Sequence, residues 1–344
     1  MIETDVAIIG AGPVGLFTVF ECGMLKLSSV LIDALGEVGG QCTALYPEKP
    51  IFDIPAHPAI EAAELVAQLE RQIEPFGAAR LLSRRVTGLT GEAGAFVVRT
   101  DRGDEVRARA VVIAAGAGAF GPNRPPLDGL EAFEATGAVQ YYVKRREDLR
   151  GKRVVIAGGG DSAVDWALAL KDIAHVSVVH RRAKFRAAPE MAAQLDAAAA
   201  SGAVHMVIPY QLHALHGAGG KLASVEVADL DGGTRHLAAD VLLPFFGLSM
   251  DLGPIADWGF ELDRNHVVVT PATMQTSVPG VFAVGDIATY AGKLKLILQG
   301  FAEAAVAAHA IHPIARPGEA LHFEYSTTKG VQSSVVGRQT SEVA

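Results

Sequence analysis

The sequence predicts an α/β protein of two Rossmann-like (βαβ plus β-meander) dinucleotide-binding domains, one inserted in the other. Two glycine loops about 150 residues apart carry the prediction. Gly10-Ala11-Gly12-Pro13-Val14-Gly15 follows the apolar run Val6–Ile9, and Gly158-Gly159-Gly160-Asp161-Ser162-Ala163 follows Val154–Ala157. Each loop opens a helix after a strand, the context in which G-x-G-x-x-G holds a pyrophosphate. The third observation is that the segments downstream of the two loops repeat one plan.

In the first copy an amphipathic helix, Val14–Lys26, leads to a second strand, Ser29–Asp33. A meander of Arg85–Leu89, Ala95–Thr100 and Glu105–Arg109 comes next, and the apolar strand Ala110–Ala114 closes the copy. The second copy runs in the same order: helix Ala163–Asp172, strand His175–His180, meander Val204–Leu215, Leu222–Asp229 and Thr234–Leu237, closing strand Val241–Phe245. Asp101-Arg102-Gly103 and Asp231-Gly232-Gly233 carry hairpin-turn chemistry. Beyond the second copy, Val267–Thr270 and Gly280–Gly285 read as strands and Leu294–Ala310 as a helix. The simplest topology therefore gives a discontinuous domain of residues 1–119 and 246–344 with a domain of residues 120–245 inserted. Gly118–Pro126 and Gly247–Pro254 have hinge composition.

At 344 residues, half of them hydrophobic and 20% charged, the chain has globular composition and room for two cores. Two cysteines, Cys22 and Cys42, exclude a disulfide framework. The N-terminus enters a strand without a cleavable leader, and no apolar run approaches a membrane span, so a cytoplasmic protein is expected. Formal net charge is −8, yet Lys144–Arg186 holds 11 Lys/Arg against 5 Asp/Glu. That local field suits a phosphorylated cofactor or an acidic partner; being confined and free of interleaved aromatics, it argues against nucleic acid.

The loop chemistry is specific. In the first copy Gly10 permits the turn, Gly12 lets a diphosphate approach the backbone, and Gly15 lets helix and strand pack. Pro13 starts the helix, and Asp33, at the end of the next strand, can accept ribose hydroxyls. Gly280–Asp286 is a buried strand ending in Gly-Asp, an arrangement that sets Asp286 on the ribitol of FAD in two-dinucleotide flavoproteins. In the second copy the place of that carboxylate reads His180-Arg181-Arg182, followed by Lys184 and Arg186. Guanidinium groups there bind a 2′-phosphate, so NADPH is expected at Gly158, Gly160, Asp161, Ser162, Arg181 and Arg182. Dithiol chemistry is excluded, because residues 120–245 contain no cysteine. The pairs His213/His216 and His309/His312 lack cysteine or carboxylate partners at ligand spacing, so no metal is expected.

Three segments, Gly39–Lys49 (GGQCTALYPEK), Gly158–Trp166 (GGGDSAVDW) and Gly285–Leu296 (GDIATYAGKLKL), resemble the thioredoxin-reductase-like (type 2) ferredoxin/flavodoxin–NADP+ reductases. The tail around Tyr325-Ser326-Thr327 does too, and the resemblance spans nearly the whole chain. It implies a homodimeric FAD enzyme that passes electrons between NADP(H) and ferredoxin or flavodoxin, by hydride to flavin N5 and then two one-electron transfers. It also implies that Gln41 contacts the flavin nucleotide and that Tyr46 and Tyr325 cover the two flavin faces. Val86 would meet adenine through its backbone, Phe120 would lie by the flavin, and Thr327 would bond to the ring. No acid–base residue is required. Two rivals stay open: an NADPH oxidase or diaphorase using oxygen, a quinone or another small acceptor, and a non-catalytic flavin or nucleotide sensor.

Overall fold

The computed structural model describes residues 1–321, with the side chains of Ala119, Phe120 and Leu248 excepted. The chain divides into two compact units. One holds Met1–Thr43, Phe52–Ala119 and the described chain from Asp251 onward; the other holds Ala44–Ile51 and Phe120–Met250.

In the first unit the strand Ile2–Ile9 lies at the centre of a seven-stranded sheet, between Ser29–Ile32 and Glu105–Ile113. Val6, Ala7 and Ile8 are fully buried, as a strand covered on both faces requires. The segments expected as a meander strand and a closing strand, Glu105–Arg109 and Ala110–Ala114, are one continuous strand, Glu105–Ile113. It pairs antiparallel with the meander (Phe96 opposite Ala108) and parallel with the first strand (Ile9 opposite Ile113). No turn residue interrupts residues 105–113, and the first strand pairs along Val106–Ile113, so nothing ends the strand where the meander pairing stops. Val281–Ala283 returns late in the sequence to pair with Val111–Ile113. The helix Ile297–Ala315 packs on Pro13–Met24 through Phe301 and Phe17, whose rings lie 4.8 Å apart.

The second unit builds a four-stranded parallel sheet in the order Val204–Val207, His175–Val179, Arg153–Ala157, Val241–Pro244. Side chains alternate across it. Val154 and Ile156 join Trp166, Leu170 and Leu195 in one cluster, while Val155 and Ala157 join Val225, Val227 and Leu242 in the other. The expected single strand Val204–Leu215 is two strands. Val204–Val207 belongs to the parallel sheet and Gln211–Ala218 to a separate antiparallel sheet with Lys221–Ala228 and Thr234–Ala238. Pro209 stands between them and has no N–H to give a ladder.

The expected boundary at 246 lies five residues short of the observed one, Met250/Asp251. The return strand Leu248–Asp251 is tied into the second unit by Ser249 Oγ, which donates to the Gly121 carbonyl at 3.1 Å. Residues Ala44–Ile51, expected in the discontinuous domain, also belong to the second unit. Lys49 pairs with Asp165 at 2.9 Å, the Arg146 N–H donates to Glu48 at 2.7 Å, and Tyr46 packs against the Trp166 cluster.

Candidate functional site: two phosphate loops

In the first unit each loop glycine answers a steric demand. Gly10 has φ +109°, and a Cβ on it would stand 2.4 Å from the Ala114 carbonyl oxygen. A Cβ on Gly15 would stand 1.9 Å from the Gly10 oxygen. Gly12 differs, since its Cβ would meet nothing within 4 Å. The protein itself does not need that space, which is where a diphosphate would lie against the backbone. Gly12 caps Pro13–Met24 without any side-chain acceptor and with no acidic residue in the first turn. The helix therefore presents unshared N–H groups and the positive end of its dipole.

Asp33 faces this loop. Its two carboxylate oxygens accept the Ala11 N–H at 2.6 Å and the Leu35 N–H at 2.8 Å. Burial raises its pKa above the ordinary carboxylate range, against the lowering effect of those two N–H bonds. Its remaining lone pairs can still accept hydroxyl protons. Gly39 closes over the loop, donating its N–H to the Ala11 carbonyl at 2.7 Å, and the Gln41 amide nitrogen lies near Gly116. Gly285 reaches the helix start, where a Cβ on it would lie 3.4 Å from Val14. Asp286, next in sequence, is half-buried there.

A buried network fixes this last segment. Glu303, 2% exposed, accepts the Gly285 N–H at 2.7 Å and the Tyr290 hydroxyl at 2.6 Å. Lys293 pairs with the same carboxylate, and Gln299 donates to Tyr290 at 2.7 Å. Gly300 is required because its Cβ would stand 2.4 Å from Val14 Cγ2.

In the second unit a cleft of about 640 Å³ opens at the carboxyl end of the parallel sheet, the usual ligand position in such sheets. Gly158, Gly159, Gly160, His180, Arg181, Arg182, Arg186 and Phe245 line it. A Cβ on Gly158 would stand 2.7 Å from the Phe245 oxygen, whereas one on Gly160 would meet nothing within 4 Å. Helix Asp161–Leu170 starts at Gly160 without a side-chain cap. The His180 ring packs on Gly159, where even a Cβ would overlap it at 2.1 Å. Burial lowers the His180 pKa, and the Arg181, Arg182 and Arg186 charges add to that, so the imidazole is neutral. Its Nε2 is buried without a hydrogen-bond partner.

Much of the basic segment is neutralised within the protein. Arg150 pairs with Glu147, Arg153 with Asp240 and Lys171 with Asp172. Arg181, Arg182 and Arg186 form no ion pair among the described residues and are exposed on the cleft. Free guanidinium groups beside an uncapped helix start and an open glycine make an anion site.

Comparison with known proteins identifies the family. Residues 4–310 match the model of the pyridine nucleotide-disulphide oxidoreductase family. The ferredoxin–NADP reductase of Acidiphilium cryptum is 75% identical over 331 residues, covering 96% of this chain and 98% of that one. That of Granulibacter bethesdensis is 72% identical over 332 residues, covering 96% and 95%. The chain belongs to the ferredoxin–NADP reductase branch of the pyridine nucleotide-disulphide oxidoreductase family. In fold it is also similar to Lactococcus lactis thioredoxin reductase, with a TM-score of 0.79, 24% identity and coverage of 91% and 99%.

The chain has no Cys-x-x-Cys pair, the group that disulphide chemistry requires. Cys22 is buried and its thiol is pushed up to about 12 by burial first, with Glu21 and Asp5 adding to it; Cys42 is buried as well. Of the expected flavin residues, Gly10, Gly12, Pro13, Gly15, Asp33, Gln41 and Asp286 belong to the first unit. Val86 is there too, buried and paired with Thr100 in the meander. Tyr46 belongs to the second unit, and Phe120 lies in the strand Ala119–Pro122 where that unit begins. Tyr325 and Thr327 lie outside the described residues. The expected nucleotide residues Gly158, Gly160, Arg181 and Arg182 meet in one cleft. Asp161 turns aside to accept the Ala188 N–H at 2.9 Å, and Ser162 is exposed next to it. Sequence reasoning missed Glu303, Lys293 and the orphaned nitrogen of His180. A carboxylate in an otherwise apolar helix face, Gly300–Ala308, was the one available signal for Glu303.

Proposed function

We propose that the protein is a FAD-dependent reductase that moves electrons between NADPH and a one-electron carrier, ferredoxin or flavodoxin. We further propose that it works as a cytoplasmic homodimer. The observation that carries the reading is the pairing of two phosphate loops of opposite charge. One faces a half-buried carboxylate and the other three free arginines, and no cysteine pair is present to take the electrons.

The first unit fits FAD. Gly12 and the uncapped start of Pro13–Met24 would hold the diphosphate, Asp33 the ribose and Asp286 the ribitol. Glu303 would act through Gly285 to keep that last carboxylate in place. The second unit fits NADPH, with Gly158–Gly160 under the diphosphate and Arg181 and Arg182 on the 2′-phosphate. When bound, FAD supplies the ability to take two electrons as hydride and give them up singly. The chain's own part is positioning and charge. A neutral His180 leaves the arginines to set the field of the cleft, and no side chain has to move a proton.

The test is anaerobic stopped-flow. NADPH should bleach the protein's flavin within a turnover, and mixing with ferredoxin or flavodoxin should restore its colour with one-electron stoichiometry. Bleaching followed by reoxidation only by oxygen or a quinone would refute the carrier assignment.

A further inference from the structure

The antiparallel sheet of the second unit carries a group of side chains that the phosphate loops do not use. Glu226 on the middle strand stands directly opposite His236, and Ser224, two residues away on the same face, stands opposite His216. The pleat therefore aims all three side chains to one side, with direct and diagonal neighbours within reach of one another. The His216 Nε2 lies 2.7 Å from Glu226 Oε2, and the His236 Nε2 lies 3.9 Å from the same oxygen. One ligand atom from each of the three falls within 4.8 Å of the others, and the two imidazole rings are 4.9 Å apart. The hydrogen bond from His216 leads the causes that hold the Glu226 carboxyl below its ordinary range, with His236 and His213 adding to it.

We propose that His216, Glu226 and His236 bind a divalent first-row transition metal of the Zn2+ class, clipping the three strands of this sheet together. Two imidazole nitrogens and one carboxylate oxygen select Zn2+, Ni2+ or Cu2+ over Mg2+ and Ca2+. Tetrahedral zinc with bonds of about 2.0–2.1 Å sets its ligand atoms about 3.3 Å apart, between the two nitrogen–oxygen separations of this cluster. Side-chain rotation alone closes that difference, because His216 and His236 are 46% and 57% exposed. The fourth position faces solvent and would hold water. Each strand contributes one ligand, so the metal adds a cross-link over both hairpins to their ladder bonds. The role is structural, and it does not rest on the reading of the nucleotide sites.

The experiment is a Zn2+ titration of the untagged, full-length protein against a chromophoric chelator, with melting followed by circular dichroism. Wild type should take up one equivalent at micromolar Zn2+ and melt at a higher temperature with it, while Mg2+ does neither. H216A/H236A should lose at least tenfold in affinity and lose the zinc-dependent rise in Tm. E226Q, which keeps the size of the side chain and both histidines, should fall between the two. All three positions lie away from the loops, so NADPH-dependent reduction should be unchanged in the variants. Uptake of the same equivalent at the same affinity by H216A/H236A, or no uptake by wild type, would overturn the proposal.

Discussion

The two loops use one backbone device and opposite electrostatics. In the first unit the Gly10 N–H donates to the Ile32 carbonyl at 2.8 Å, and the Ala114 N–H to Ile9 at 2.7 Å. In the second unit the Gly158 N–H donates to the Val179 carbonyl at 3.1 Å, and the Phe245 N–H to Ala157 at 2.8 Å. Both loops leave open space over their middle glycine, Gly12 or Gly160. The second strand then ends in a half-buried carboxylate in one case and in a neutral imidazole with two arginines in the other. In the proposed reading, backbone geometry would set where a diphosphate goes, and the side chains at one strand end would decide which nucleotide comes with it.

The sharpest break in that comparison is at the open glycines. G12A should leave the apo fold intact, as its methyl meets no protein atom, yet yield a colourless protein that takes up no FAD. G160A should keep the colour and lose NADPH reduction instead. Absorbance at the flavin band and NADPH titration read the two outcomes. If both variants bound both nucleotides normally, the open space would have no ligand role.

Next in size is the buried ion pair behind the first loop. E303Q would leave the Lys293 ammonium, 6% exposed, without its counter-charge. Breaking such a pair costs about 3 kcal/mol or more, read as a fall in Tm and in FAD affinity. Replacing both members by E303Q/K293M should recover most of it, since the buried charge is then gone. A double variant no better than the single would place the effect elsewhere.

The strand-end arginines come third. R181Q and R182Q should each raise the KM for NADPH by about 10- to 100-fold and leave that for NADH nearly unchanged, because each would remove a proposed charge-assisted contact to the 2′-phosphate alone. Equal losses with both nucleotides would mean a structural role.

The smallest contrast concerns the carboxylates that tie down each unit. Asp5, 6% exposed, suffers desolvation, but bonds from Arg316 and Ser28 outweigh it and hold its pKa low. Asp240 is held down to about 2, chiefly by the side-chain and backbone bonds of Arg153. Both pKa values lie below the unfolded value of about 3.9, so both carboxylates stabilise the fold above that pH. That stabilisation is lost as pH falls through the folded values. D5N should cost about 2 kcal/mol at pH 7, while D240N should cost less and lose its effect in high salt, because its partner is exposed. Urea melts at pH 7 and pH 3 measure both.

How far the sequence reached differs between the two halves of the site. The loops were legible because a tight turn, a close backbone approach and a helix start each restrict one position to glycine, as Gly10, Gly15 and Gly158 show. The basic lining of the second cleft was legible because Arg181 and Arg182 follow their strand directly. The strand Glu105–Ile113 was read as two, since sequence pattern does not say that one edge keeps a single partner while the other passes from the meander to Val281–Ala283. The segment Ala44–Ile51 was placed with its chain neighbours, yet Lys49, Glu48 and Tyr46 found their partners about 100 residues away.

By itself the sequence determined the α/β repeat, both loops, the charge inversion between them and the lack of a redox cysteine pair, because each resides in a few consecutive residues. The tertiary structure alone decided that Glu303 holds Gly285, that His180 lies on Gly159, and that His216 meets Glu226 and His236. Those contacts depend on register and packing between strands and helices distant in the chain, and no local pattern encodes them.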